Sequence, residues 1–139
     1  MNTQHTQSTR SATPPRAWKG PWLLAVSALH TAVALAMFRP VLHEMLERGI
    51  FNTVGEDPMR GAVVWFVLFG AVLALLGLTV TKVERVAPQV SLRSLGAGLL
   101  ALTVLGVVLM PASGFWLVLP VAFAMLHKPT HPTASPPQR

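Results

Sequence analysis

The stretch "SLGAGLLALTVLGVVLMPASGFWLVLPVAFAMLH", residues 94–127, contains no Asp, Glu, Lys or Arg. As one helix it would be about 51 Å long at 1.5 Å per residue, against a hydrocarbon core of roughly 30 Å. The segment "MPASGF", 110–115, argues against one helix. Pro111 has no N–H to donate, and Gly114 relaxes a turn. The stretch therefore predicts two short apolar helices, about 94–110 and 114–127, joined by a tight hairpin. The second is short for a membrane span and needs a locally thinner bilayer or burial among its neighbours.

Two further uncharged stretches precede this one. Gly20–Phe38 lies between Lys19 and Arg39, and Gly61–Thr81 lies between Arg60 and Lys82. Each matches the roughly 20 apolar residues that cross a bilayer as a helix. A helix is the form in which a backbone satisfies its own hydrogen bonds within one segment, as lipid requires. The expected fold class is all-α: an integral membrane four-helix bundle with spans at about 20–38, 61–81, 94–110 and 114–127, forming one domain over 20–127. Composition agrees. The 139 residues are 52% hydrophobic and only 12% charged, about half the usual charged share. The tails, "MNTQHTQSTRSATPPRAWK" (1–19) and "KPTHPTASPPQR" (128–139), have little to bury and read as disordered.

Between spans one and two lies "RPVLHEMLERGIFNTVGEDPMR", 39–60. Pro40 suits a first helical turn and Gly49 a helix stop. Val41, Leu42, Met45 and Leu46 fall on one side, with His43, Glu44, Glu47 and Arg48 on the other. This is a short amphipathic helix, either lying in the membrane interface or packed on the bundle as a loop helix. Glu44, Glu47, Glu56 and Asp57 form a solvated acidic loop here, with an outer cation site as the sharper alternative.

Four spans place both tails and the 82–93 loop on one side. That side has Arg10, Arg16, Lys19, Lys82, Arg85, Arg93, Lys128 and Arg139; the other has only Arg39, Arg48 and Arg60. The positive-inside rule then puts both termini in the cytoplasm of a multi-pass cell-membrane protein. Trp18 and Trp22 would mark the inner interface, and Trp65, Phe66, Phe115 and Trp116 the outer one. A competing reading takes "ALA", 34–36, as a signal-peptidase site, which would leave three spans.

The absence of cysteine excludes disulfides, thiolate metal sites and thiol redox chemistry. The net charge of +6 sits outside the apolar blocks, which points to membrane lipids as partners rather than nucleic acid. No GxSxG, HExxH, P-loop or dinucleotide-binding glycine fingerprint is present. No cofactor, metal site or catalytic residue is predicted. Small residues offer close-packing surfaces: Ala28, Ala32 and Ala36 in span one, Gly70 and Ala74 in span two, and Gly96, Ala97, Gly98, Ala101 and Gly106 in span three. Self-association through such faces is the other partner expected.

One titratable side chain lies inside a span. His30 sits in "AVSALHTAVALAMF", 25–38, and shares a helix face with Ser27, Thr31 and Ala34, while Val26, Leu29 and Val33 cluster away. A neutral imidazole has one donor and one acceptor nitrogen. Matched depth suggests a hydrogen bond from His30 to Thr103, or to the Trp116 carbonyl, which Pro120 cannot use. Intramembrane ionisable groups mark functional sites by default, so His30, Thr31, Ser27 and Thr103 are the candidate ligand-binding residues. The usual companions of a proton relay or metal site are missing, since no span carries a carboxylate or a second His at that depth.

Three segments, "WLLAVSALHTAVAL", "WFVLFGAVLALLG" and "MPASGFWLVLPVAFAML", resemble a family of small bacterial membrane proteins defined only as a domain of unknown function. The resemblance covers roughly residues 20–127. It implies four helical spans, a first-span His like His30, and a turn like Pro111, Ser113, Gly114, Phe115 and Trp116. It brings no established activity. The expected role is a non-catalytic structural or accessory helical bundle. The alternatives are a binder or transporter of small lipophilic molecules between the spans, and a membrane enzyme using His30 on a lipid-like substrate. Small four-span efflux proteins rely on an intramembrane carboxylate, which is lacking here.

Overall fold

A computed structural model describes residues 17–49 and 51–127. Most of the two tails expected to be disordered lies outside the described residues. Within them the chain is all-α: α1 (Lys19–Met37), α2 (Arg39–Glu47), α3 (Pro58–Val86), α4 (Arg93–Leu109), a 3-10 helix (Gly114–Val118) and α5 (Leu119–Leu126), with no strand. Two helices, α1 and α3, are long and apolar enough to cross a membrane; α4 and the segment Gly114–Leu126 are shorter apolar helices.

The breaks between elements follow from local chemistry. Pro40 opens α2 in its first turn, and Gly49 ends it at φ 89°, a backbone region that glycine enters without a steric penalty. Asp57 caps α3: its Oδ1 accepts from the Met59 N–H at 2.9 Å and the Arg60 N–H at 3.3 Å, with Pro58 at the first helical position. α4 stops at Leu109, and Met110, which precedes Pro111, has left the helical region at φ −140° and ψ 76°. The triplet Ala34–Leu35–Ala36 lies in unbroken helix.

The second apolar helix is longer than the sequence predicts. The uncharged stretch ends at Thr81, yet α3 continues through Lys82, Glu84 and Arg85 to Val86. The helix does not stop where hydrophobicity stops, because its last turn is still packed against α1. The segment expected as the last span also differs. It divides at Val118 into a 3-10 turn and a short α-helix. Pro120 cannot supply the α-type bond to the Trp116 carbonyl, so the Leu119 N–H takes that oxygen instead. The Trp116 carbonyl is thus bonded within its own turn, and His30 bonds α3 instead.

Packing is organised around the α1–α3 pair. Gly20, Leu23, Ser27, His30 and Ala34 on α1, and Val63, Phe66, Gly70, Leu73, Gly77, Val80 and Glu84 on α3, are spaced alternately three and four apart. All of these but His30, Phe66 and Glu84 are buried. A 3.5-residue period keeps one seam facing its partner when two helices wrap left-handed. Glycine lets the backbones approach: a Cβ at Gly77 would lie 3.0 Å from the Leu24 backbone nitrogen. The predicted surface of Ala28, Ala32 and Ala36 is exposed instead. A strict i, i+4 row drifts around the helix, whereas the seam follows the heptad.

The helices follow one another as α3–α1–α5–α4 rather than closing a ring. Among the described residues no Cα of α4 comes within 8 Å of α1 or α3; α4 packs on α5 and the 3-10 helix. Its contact glycines are Gly96, against Met125 and Ala122, and Gly106, against the Phe115 ring. Ala97, Gly98 and Ala101 face outward. A buried cluster of Leu23, Val26, Leu73, Val80, Val118, Val121 and Met125 joins α1, α3 and α5, and Leu95 and Leu99 of α4 reach it.

Candidate functional site

The α1–α3 seam collects three of the four residues singled out from the sequence. Ser27 is 4% exposed, and its hydroxyl donates to the Gly70 carbonyl at 2.8 Å. One turn along, His30 Nε2 lies 3.0 Å from the Phe66 carbonyl. A carbonyl can only accept, so Nε2 carries the proton and donates. Thr31 stands beside Gly70, where an added Cβ would lie 2.6 Å from its Oγ1. The polar face of α1 thus does turn inward, toward α3. Leu29 and Val33 are exposed as expected, but Val26 is buried in the core cluster.

Thr103 does not join them. It is 1% exposed, but its hydroxyl donates to Leu99 O of its own helix at 2.7 Å, and α4 stays clear of α1. Matched depth along the chain could not anticipate that α5 lies between. The partner His30 does find is a main-chain oxygen, a group that sequence inspection does not flag. Helical carbonyls keep a second lone pair for such bonds.

The His30 ring also sits among aromatics. It stacks on Phe66 with centroids 4.2 Å apart and an interplanar angle of 17°, and meets Phe69 edge-on at 5.5 Å. Phe38 meets Phe66 edge-on at 5.4 Å. Phe66, expected in an interfacial belt, is therefore a seam residue, whereas Trp65 beside it is 74% exposed. Each such aromatic pair contributes about 0.5–1.5 kcal/mol beyond its buried area in soluble proteins.

Glu84 is the seam residue the sequence reading missed, because it counted as loop. Its Oε2 accepts the Gly20 N–H at 3.0 Å, and its Oε1 lies 3.9 Å from Lys19 Nζ. α1 has no side-chain cap of its own; α3 supplies one from across the seam, placing a carboxylate where an α-helix has free N–H groups and a positive dipole end. The heptad run 63, 66, 70, 73, 77, 80, 84 is the signal that would have found it.

At the opposite end, two of the loop acids, Glu44 and Asp57, meet arginines. Arg48 Nη2 pairs with Glu44 Oε1 at 2.7 Å, Arg60 Nη2 with the same oxygen at 3.0 Å, and Arg60 Nε with Asp57 Oδ2 at 3.3 Å. His43 and Glu47 pair at 3.3 Å on the exposed side of α2. This arrangement ties α2 and its loop to α3 through Glu44 and Asp57, while Glu47 and Glu56 stay exposed. Among the described residues no three His, Cys, Asp or Glu side chains gather as metal ligands do.

Near the start of α1, Trp22 Nε1 donates to the Leu117 carbonyl at 2.8 Å, fastening the 3-10 helix to α1; Trp22 and Trp116, expected at opposite interfaces, therefore lie close together, because the short hairpin reaches only the first turns of α1. Above that bond is an apolar groove of about 170 Å³ lined by Trp22, Ala25, Val26, Leu29 and Leu117.

A family model described as a family of unknown function (DUF6463) matches residues 14–132. The chain belongs to this family. The match takes in every helix described above, from Lys19 to Leu126, and the family's description assigns no activity. No curated protein and no solved structure matches the chain.

The site's chemistry is that of a fastening. Exchanging His30 for Leu removes one hydrogen bond and a stacked ring but leaves the Phe66 carbonyl in its helix. Interhelical hydrogen bonds in membranes average about 0.6 kcal/mol and reach about 1.7. The His30→Leu variant is expected to lose about 1 kcal/mol of stability in detergent, read as a lower unfolding midpoint. A midpoint equal to the wild type's contradicts the tie.

Proposed function

We propose that this member of the family is a multi-pass membrane protein of four spans with both termini cytoplasmic, acting as a non-catalytic structural or accessory helical component. What supports the non-catalytic reading is where the polar side chains of the apolar helices spend their hydrogen bonds. Ser27 and His30 bond to α3 carbonyls, and Thr79, Thr81 and Thr103 bond back to Leu75, Gly77 and Leu99 of their own helices. These side chains bond main-chain carbonyls, as a lipid-embedded protein requires of its polar groups, and among the described residues they present no convergent set of acid, base and nucleophile.

Four spans are supported by α1 and α3 together with the antiparallel α4–α5 hairpin. The start of α1 and the end of α3 lie together, as the Gly20–Glu84 bond requires, so the N-tail and the 87–92 loop share a side in this reading. Reporters active on one side of the membrane test it, fused at the N-terminus, after Thr53, after Gln89 and at the C-terminus. The first, third and fourth are expected to report the cytoplasm and the second the opposite side. Termini on opposite sides overturn the four-span reading.

The groove at Trp22 favours a second reading, a binder of small lipophilic molecules.

A further inference from the structure

The imidazole of His30 has two edges, and the fold uses one of them. Nε2 lies 3.0 Å from the Phe66 carbonyl, and a Cβ built on Gly70 would lie 3.2 Å from Cδ2. The Nε2–Cδ2 edge is therefore turned to α3, and Nδ1, across the ring, is turned away from it. Because Nε2 carries the proton, Nδ1 holds a bare lone pair. Among the described residues it has no hydrogen-bond partner, and on this half-buried side chain it is not enclosed. The other polar side chains of this turn are engaged with α3. Ser27 donates to the Gly70 carbonyl, and Thr31 Oγ1 stands against Gly70. The α4–α5 hairpin is fastened at Trp22 in the first turn of α1 and brings no donor to His30.

The walls beside this acceptor are aromatic. Phe66 stacks on the imidazole at 4.2 Å, and Phe69, 47% exposed, meets it edge-on at 5.5 Å. His30 lies near the middle of α1, where hydrocarbon supplies no water to replace a missing partner. A single water held at Nδ1 would find one partner, whereas ordered waters take two to four. A second copy meeting this edge with its own His30 would set acceptor against acceptor. The occupant that fits carries one donor on an otherwise apolar body.

We infer that His30 is a binding site for a lipophilic phenol, whose single hydroxyl donates to Nδ1 and whose ring extends the stack that Phe66 and Phe69 make with the imidazole. The inference rests on the membrane reading above and adds a ligand to it. The bare lone pair selects a hydroxyl over an ether, which has no proton to give. The aromatic walls select a ring over an alkyl chain, because ring pairs gain beyond the area they bury. Binding leaves the bond to Phe66 in place, since it uses the opposite edge of the imidazole.

The test uses full-length protein with isotope-labelled histidine in mild detergent at about pH 8, above the usual histidine range. It is titrated with 4-octylphenol or with 4-octylanisole, the same molecule with its hydroxyl methylated, at equal mole fractions in the micelle. The ring-proton resonances of Phe66 and Phe69 report binding, and the Nδ1 resonance of His30 reports the hydrogen bond. The phenol is expected to bind about fivefold more tightly than the anisole, the worth of one neutral hydrogen bond. It is also expected to move the Nδ1 resonance, which the anisole leaves in place. In His30→Phe, which keeps a ring against Phe66 and removes the acceptor, the two compounds are expected to bind alike. The Nδ1 shift in the wild type decides the matter where that variant fails to fold. Equal affinities in the wild type, an Nδ1 resonance that the phenol does not move, or a preference kept in His30→Phe overturns the inference. Sedimentation of the wild type with membranes is scored separately. Protein that stays in the soluble fraction overturns the membrane reading itself; protein that sediments but treats the two compounds alike overturns only this inference.

Discussion

A Gly20→Leu variant is expected to lose about 3 kcal/mol of stability, at the upper end of what overpacking usually costs. Helix propensity alone predicts the opposite, since replacing Gly inside a helix favours the helical state by up to about 1 kcal/mol. Sterics decide the sign. A Cβ at position 20 would overlap the Thr81 hydroxyl and backbone nitrogen and lie 2.6 Å from the Thr81 Cα. Backbone cannot rotate aside, so α1 must move off α3. That movement also breaks the Gly20–Glu84 cap and strands a carboxylate that is 10% exposed. Gly98 on α4 is the control: nothing lies within 4 Å of a Cβ there, and Gly98→Leu is expected to be neutral or slightly stabilising. Thermal unfolding in detergent separates the two, with a drop on the order of 10 °C for Gly20→Leu and none for Gly98→Leu. Equal midpoints for the two variants show that the α1–α3 seam is not closed at Gly20.

The comparison with His30 ranks the forces. The imidazole drew attention because polarity is conspicuous in an apolar run, yet removing it is expected to cost only about 1 kcal/mol. The glycines at the same seam are less conspicuous, and the contacts they permit weigh more. Charge-free runs and Pro111 were legible as helices and a hairpin because apolar patterning and the missing proline N–H act locally. The seam partners were not legible in the same way. Whether Phe66 or Trp65 turns toward His30 depends on the rotation of α3, which the heptad run of Val63, Phe66, Gly70, Leu73, Gly77, Val80 and Glu84 specifies only when read at 3.5 residues rather than as pairs of small residues. Glu84 was hidden by its sign, since charge was read as the end of a helix and here it caps a neighbouring one. Thr103 does not bond His30, because an equal position along two helices says nothing about which helix lies between.

Gly106→Leu is the second large effect expected, and its mechanism differs from that of Gly20. A Cβ at position 106 would lie 2.6 Å from three atoms of the Phe115 ring, so the ring lies flat over the glycine where the hairpin returns from α4. The obstacle is a side chain, which can be removed. Gly106→Leu alone is expected to cost about 2–3 kcal/mol, because the ring must leave its place and carry the 3-10 helix off α4. Phe115→Ala alone is expected to destabilise by leaving Gly106 uncovered, by an amount set by how far the turn collapses. In the double variant the leucine occupies space the ring has vacated, so the two losses should not add. A coupling of at least about 1 kcal/mol in favour of the double variant is expected, within the range seen for residues in direct contact. No such rescue is available at Gly20, where the obstacle is backbone. Strict additivity of Gly106→Leu and Phe115→Ala in the unfolding midpoints contradicts the packing of Phe115 on α4. That outcome would also remove the reason for α5 to lie between α4 and α1, since the 3-10 helix that Trp22 fastens to α1 is the same one Phe115 fastens to α4.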